Sequence, residues 1–138
     1  MNLTQNFTLE EMTASSTAKG KGIINIPDTQ ATESLKRLCE EILQPIRNKF
    51  GKPVKVTSGY RSDALNTAIG GSKTSQHLKG EAADIICNDN KALWNLIINM
   101  IQNQEIRVGQ LIDEKNLRWI HISLPDSSHY NQILYLKP

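Results

Sequence analysis

Three histidines, His77, His121 and His129, are the side chains best suited to metal or acid–base chemistry near neutral pH. His77 stands in the polar run Ser75-Gln76-His77-Leu78-Lys79-Gly80, seven residues before Asp84. Asp84 is flanked by Ala83 and Ile85, and a carboxylate buried among such neighbours needs a partner. Gly80 lets the loop turn back so that His77 and Asp84 converge. His121 lies in Trp119-Ile120-His121-Ile122-Ser123. Strand alternation there puts Trp119, His121 and Ser123 on one face and the two isoleucines on the other. Two imidazoles and a carboxylate, with a fourth position for water, make a common catalytic zinc site. Such a metal acidifies water and polarises a carbonyl, which is the chemistry of amide hydrolysis. On spacing alone a second reading stays open: each histidine is satisfied locally and Asp84 pairs with a Lys or Arg.

The elements that must position these residues follow from periodicity and punctuation. Thr8 and Glu11 have capping-box spacing, which predicts a helical turn at 7–14. Residues 15–26 are small, polar and Gly-containing, and read as a loop. Leu35, Leu38, Cys39, Ile42, Leu43 and Ile46 predict a helix over 29–49, with Pro45 kinking or splitting it and Gly51 closing it. Val54, Val56 and Ser58 alternate as a short strand, and 63–69 form a short helix. Residues 82–86 are a second strand, and 90–103 an amphipathic helix burying Leu93, Trp94, Ile97, Ile98 and Ile101. Segments 110–113 and 117–124 form a hairpin turning at Lys115-Asn116, and 133–136 a last strand. This order predicts an α+β fold, with helices packed on one face of a small, mainly antiparallel sheet.

Composition excludes some function classes. The chain has 138 residues and a formal net charge of +2, so it lacks the basic footprint of a nucleic-acid binder. No apolar run is long enough to span a bilayer. The start, Met1-Asn2-Leu3-Thr4-Gln5-Asn6, lacks the basic and apolar regions of a signal peptide, so synthesis in the cytoplasm is expected. Cys39 and Cys87 are too far apart for a zinc-finger or redox motif and read as reduced, largely buried thiols.

Three blocks in order resemble the zinc D-Ala-D-Ala carboxypeptidase family: Val56-Thr57-Ser58-Gly59-Tyr60-Arg61-Ser62, then Ser75 through Asp84, then Trp119-Ile120-His121-Ile122-Ser123. That family includes vancomycin-resistance dipeptidases and phage endolysins with L-alanyl-D-glutamate peptidase activity. The resemblance implies one zinc ion held by His77, Asp84 and His121. It implies a small α+β domain shared with the hedgehog signalling domain, and a peptidoglycan stem peptide as substrate. It also implies that Arg61 faces the substrate, a role suited to a guanidinium, which pairs with a carboxylate or carbonyl; the other reading is a structural salt bridge. Ser75 lines the site or caps its loop, Gln110 hydrogen-bonds near His121 or is an ordinary edge residue, and Trp119 packs beside the site. His129 is read as a surface residue, with proton donation to the site as the alternative.

The general base departs from the family pattern. Many members carry an acid three residues before the last histidine, where this chain has Arg118. A phage-like subgroup carries Gln-Leu-Ile-x-Glu shortly before Trp-x-His, and Gln110-Leu111-Ile112-Asp113-Glu114 resembles it, which makes Glu114 the candidate and Asp113 its rival. A two-residue turn would pair Gln110 with His121 and leave Glu114 four residues along, roughly 13 Å away. The chain is expected to be a single domain over 1–138, residues 1–28 being an extension packed on it, and a monomer. An endolysin-like protein would reach the wall after release. A zinc-containing binding module for wall peptides or a protein partner is the alternative function.

Overall fold

The computed structural model describes residues 1–136. It is an α+β fold around a five-stranded, mostly antiparallel sheet. Helix α1 (Leu9–Thr13) is capped by Thr8, whose side chain accepts from Glu11 N. Helix α2 (Ser16–Lys21) lies within the stretch expected to be loop. Its Ser15 cap accepts from Ala18 N, and Gly22, at φ +66°, ends it. Only Ala18 of α2 is buried, so the segment carries no apolar period to announce it.

The long helix is split. Helix α3 (Thr29–Leu38) passes through a π turn (Cys39–Leu43) into α4 (Gln44–Phe50). Pro45 has no N–H to give the preceding turn, and the wider turn just before it absorbs that loss. Gly51, at φ +73°, closes α4.

Strands β1 (Lys55–Ser58), β2 (Ala82–Ile86), β3 (Gln110–Glu114), β4 (Trp119–Ser123) and β5 (Gln132–Leu136) lie in the order β1-β2-β4-β3-β5. All pairs are antiparallel except β3 with β5. Helix α5 (Asp63–Ala68) and a 3-10 turn (Gln76–Lys79) connect β1 to β2, and α6 (Asn90–Gln102) connects β2 to β3.

The two faces of the sheet have opposite chemistry. Val56, Ala83, Ile85, Leu111, Ile120 and Ile122 join Leu35, Leu38, Ile42, Ile46, Leu93 and Ile97 in one apolar core. Phe7 and Met12 are fully buried in the same core. The alternate positions Asp84, His121 and Ile112 face the other way. They form a row across the sheet, since Ser58 pairs with Asp84, Asp84 with His121, and His121 with Ile112. Strict alternation from Val56 would have put Ser58 on the core face. A one-residue bulge at Thr57 breaks the register, so Val56 meets Ile85 and Ser58 meets Asp84.

Candidate metal centre

His77 enters from the 3-10 turn, and Asp84 and His121 stand side by side on the central strands. All three are buried, and one ligand atom from each lies within 4.8 Å of the others. His121 Nδ1 is 3.1 Å from Asp84 Oδ1, and His77 Nε2 is 3.4 Å from the same oxygen. The other ring nitrogen of His77, Nδ1, lies 2.7 Å from the Gly59 carbonyl. A carbonyl can only accept, so Nδ1 carries the proton and Nε2 presents a lone pair. Among the described residues, that buried Nε2 has no hydrogen-bond partner. A lone pair and a carboxylate oxygen facing each other call for a cation between them. The residues present therefore fit a divalent metal with nitrogen and oxygen ligands.

The supporting backbone is tight. A Cβ on Gly59 would lie 2.2 Å from Met12 O, so only glycine lets the strand end pass the N-terminal segment while offering its carbonyl to His77. Tyr60 N donates to Met12 O at 2.8 Å and secures that crossing. Gly80 lets the turn reverse at φ +72° and packs against Ala31 O. Ser75 caps the turn by accepting from His77 N and also lines the cleft above the centre, so its two expected roles coincide.

Arg61 is held rather than free. Its Nε donates to Ser58 Oγ at 3.3 Å, Nη1 to Asn66 Oδ1 at 3.3 Å, and Nη2 lies 3.6 Å from Asp84 Oδ2. The structural salt bridge and the exposure to the cleft thus occur together. A guanidinium has five N–H donors. With one engaged at each nitrogen, one remains on each η nitrogen for a ligand. Asn66, itself buried, also donates to Ser72 O, so α5 braces the arginine. No sequence signal marked Asn66, whose role depends on that non-local contact.

Burial favours the protonated form of Asp84, but the His121 and His77 imidazoles beside it outweigh burial and hold its carboxyl well below the usual carboxylate range. Glu114 is displaced in the opposite direction. Burial first, and the neighbouring Asp84 second, raise its pKa.

The hairpin differs from expectation, and the difference brings Glu114 closer to His121. Residues 115–118 form a four-residue loop, with Lys115, Asn116 and Leu117 all at positive φ (53°, 59° and 61°). Glu114 therefore pairs with Trp119, and Ile112 with His121. Glu114 is two residues from the His121 row on the same face, about 7 Å along the strand instead of roughly 13 Å. Asp113 pairs with Ile120 on the other face, and its Oδ1 accepts from Leu117 N at 2.7 Å, a structural contact within the loop. Arg118 is exposed in the loop.

Arg61, His77, Asp84, Glu114 and His121 line one cleft of about 380 Å³ with Trp119, Gln110 and His129. Gln110 does not bond His121; its amide donates to Gln132 at 3.0 Å. His129, expected at the surface, is half-buried at the cleft. Trp94 is core, Cys39 is buried with its thiol pushed up to about 12 by burial, and Cys87 is half-buried; both thiols are free.

The fold and site define an α+β protein with a two-histidine, one-carboxylate centre at the floor of an open polar cleft, the donor set of hydrolytic zinc proteins. The chain belongs to the peptidase M15 family, whose sequence model matches residues 5–123. A zinc D-Ala-D-Ala carboxypeptidase from Streptomyces albus G is 43% identical over 44 residues, 31% of this chain. That stretch covers only 17% of the Streptomyces protein. Among the described residues, no helix is long and apolar enough to cross a membrane.

Proposed function

We propose that this protein is a zinc peptidase that hydrolyses an amide bond in peptidoglycan stem peptides. The observation that carries the reading is the meeting of His77 Nε2, Asp84 Oδ1 and His121 Nδ1, with the buried His77 nitrogen lacking a hydrogen-bond partner among the described residues. His77, Asp84 and His121 would hold one zinc ion. Bound there, zinc supplies Lewis acidity toward a carbonyl and acidifies water. Glu114 takes a proton from the attacking water and delivers it to the departing nitrogen. A C–O bond forms, the C–N bond breaks, and one carboxylate and one amine leave. The raised pKa of Glu114 suits this exchange, because a base that must later act as acid works best when its pKa is not far below the working pH. The two uncommitted N–H groups of Arg61 hold a carboxylate or carbonyl of the peptide.

Family membership and the partial match to a D-Ala-D-Ala carboxypeptidase support wall peptides as substrate. The Gln110-Leu111-Ile112-Asp113-Glu114 segment favours the phage-endolysin type, which cleaves L-Ala–D-Glu. In that setting a monomer made in the cytoplasm meets the wall after release. The test is digestion of purified wall and synthetic stem peptides by zinc-loaded protein, with mass spectrometry of the products. New termini at L-Ala–D-Glu support the endopeptidase reading, and release of D-Ala supports the carboxypeptidase. Binding without cleavage at full zinc occupancy would refute the enzyme and leave a wall-peptide binding module.

A further inference from the structure

The β4–β5 connection carries a histidine that the chemistry above leaves unused. His129 lines the same cleft as Arg61, His77, Asp84, Glu114 and His121, with its side chain 32% exposed. Its Nδ1 lies 3.1 and 3.3 Å from the two Asp126 carboxylate oxygens. Asp126 Oδ1 also accepts from Ser128 N at 2.8 Å and His129 N at 2.7 Å, and Asp126 N donates to His129 O at 3.0 Å. One carboxylate thus fixes both the loop and the ring. A ring whose Nδ1–H is given to a carboxylate has only Nε2 left for a ligand, and as the imidazolium it donates from that nitrogen.

The loop's anchor places this histidine relative to Glu114. Asn131 N donates to Val108 O, Gln132 N donates to Gly109 O, and Asn131 Oδ1 accepts from Val108 N. His129 is thereby tied to the end of β3 where Gln110 lies. Glu114 is at the other end, four residues or about 13 Å away. Ile112, opposite His121, is midway. The metal centre is flanked by an acid at one end of the strand and a carboxylate-held histidine at the other.

We propose that His129 is a further catalytic residue, whose Nε2–H donates a hydrogen bond to the substrate oxygen that gains negative charge as the amide is attacked. This rests on the peptidase reading above. Glu114 already accounts for the one proton that moves from water to amine, so His129 keeps its own proton throughout. The Arg61 guanidinium is tethered to Ser58, Asn66 and Asp84. His129 offers a second donor, on the side of the cleft away from the base. Asp126 is a positioning residue.

The experiment compares zinc-loaded wild type with His129→Gln, His129→Ala and Asp126→Asn on the stem peptide that the wild type cleaves, with zinc content and melting temperature measured for each. Loss of a donor aimed at a developing oxyanion lowers kcat by about 10²–10³-fold. His129→Ala shows that loss with KM nearly unchanged. His129→Gln keeps part of the rate, since its amide donates without charge. Asp126→Asn retains an acceptor for the loop but removes the anion. It lowers kcat less than His129→Ala does, with KM nearly unchanged. A His129→Ala protein with wild-type kcat overturns the proposal, as does one in which KM alone rises, the mark of ground-state binding. A wild type that cleaves no stem peptide overturns the peptidase reading and this one together; an active wild type with an unaffected His129→Ala overturns this one alone.

Discussion

Glu114→Gln separates metal binding from catalysis. The substitution preserves the size of the side chain and the backbone pairing of Glu114 with Trp119. It removes the only function assigned to this residue, accepting a proton. Because the four-residue loop brings Glu114 to about 7 Å along the strand from the His121 row, its side chain can reach a water held over the centre. Loss of a positioned general base costs about 10²–10⁴ in rate. That equals about 3–5 kcal/mol of barrier. The assay is the initial rate of stem-peptide cleavage, followed by chromatography, with zinc quantified by elemental analysis. The expected result is full zinc occupancy with kcat down by at least about two orders of magnitude. Asp113→Asn is the control: Asn still accepts from Leu117 N, and Asp113 shares no face with His121, so the rate stays near wild type. Refutation comes from a Glu114→Gln protein with near-normal turnover at full occupancy, or from one that loses zinc, which would make Glu114 a ligand.

Three further outcomes are expected. Zinc at about 100 times its dissociation constant stabilises the fold by about 2.7 kcal/mol, close to 10 °C in Tm for a chain of this size, and a chelator reverses it; calorimetry of His77→Ala that still shows the shift would remove His77 from the ligand set. Gly59→Ala puts a Cβ 2.2 Å from Met12 O and destabilises by about 2–4 kcal/mol in urea denaturation, with weaker zinc binding because the carbonyl orienting His77 moves; an unchanged midpoint contradicts the tight crossing. The depressed pKa of Asp84 makes metal-free protein gain stability above the unfolded carboxylate value near 4 and lose it as pH falls through and below that value. Between about pH 6 and pH 3, the urea midpoint of wild type in chelator therefore falls more steeply than that of Asp84→Asn, and parallel curves would count against the ion-paired cluster.

Much of the fold is legible because it is local. The apolar spacing through Leu35, Leu38, Ile42 and Ile46 announces a helix, although the way Pro45 is accommodated, by a π turn, depends on hydrogen bonding that no residue type specifies. The apolar run in β2 and the alternation in β4 announce two strands, and the second gives the face of His121. Helix α2 escaped because a short polar helix with a single buried alanine leaves no periodic trace.

The candidate site divides along the same line. Residue identity put His77, Asp84 and His121 forward as a metal-capable set, alternation gave the face of His121, and the ordered blocks around them tied the three together. Only the tertiary structure gave the register that brings Glu114 near them. That register turns on the number of loop residues at the hairpin tip, where Lys115, Asn116 and Leu117 all adopt positive φ. A side chain's face reverses with each residue of register, so local pattern alone leaves Asp113 and Glu114 open. The same holds for Arg61, whose partners come from β1, β2 and α5, and for His129, carried to the cleft by a loop tied back to Val108 and Gly109. These placements are made by contacts between segments distant in the chain, and such contacts leave no spacing to read.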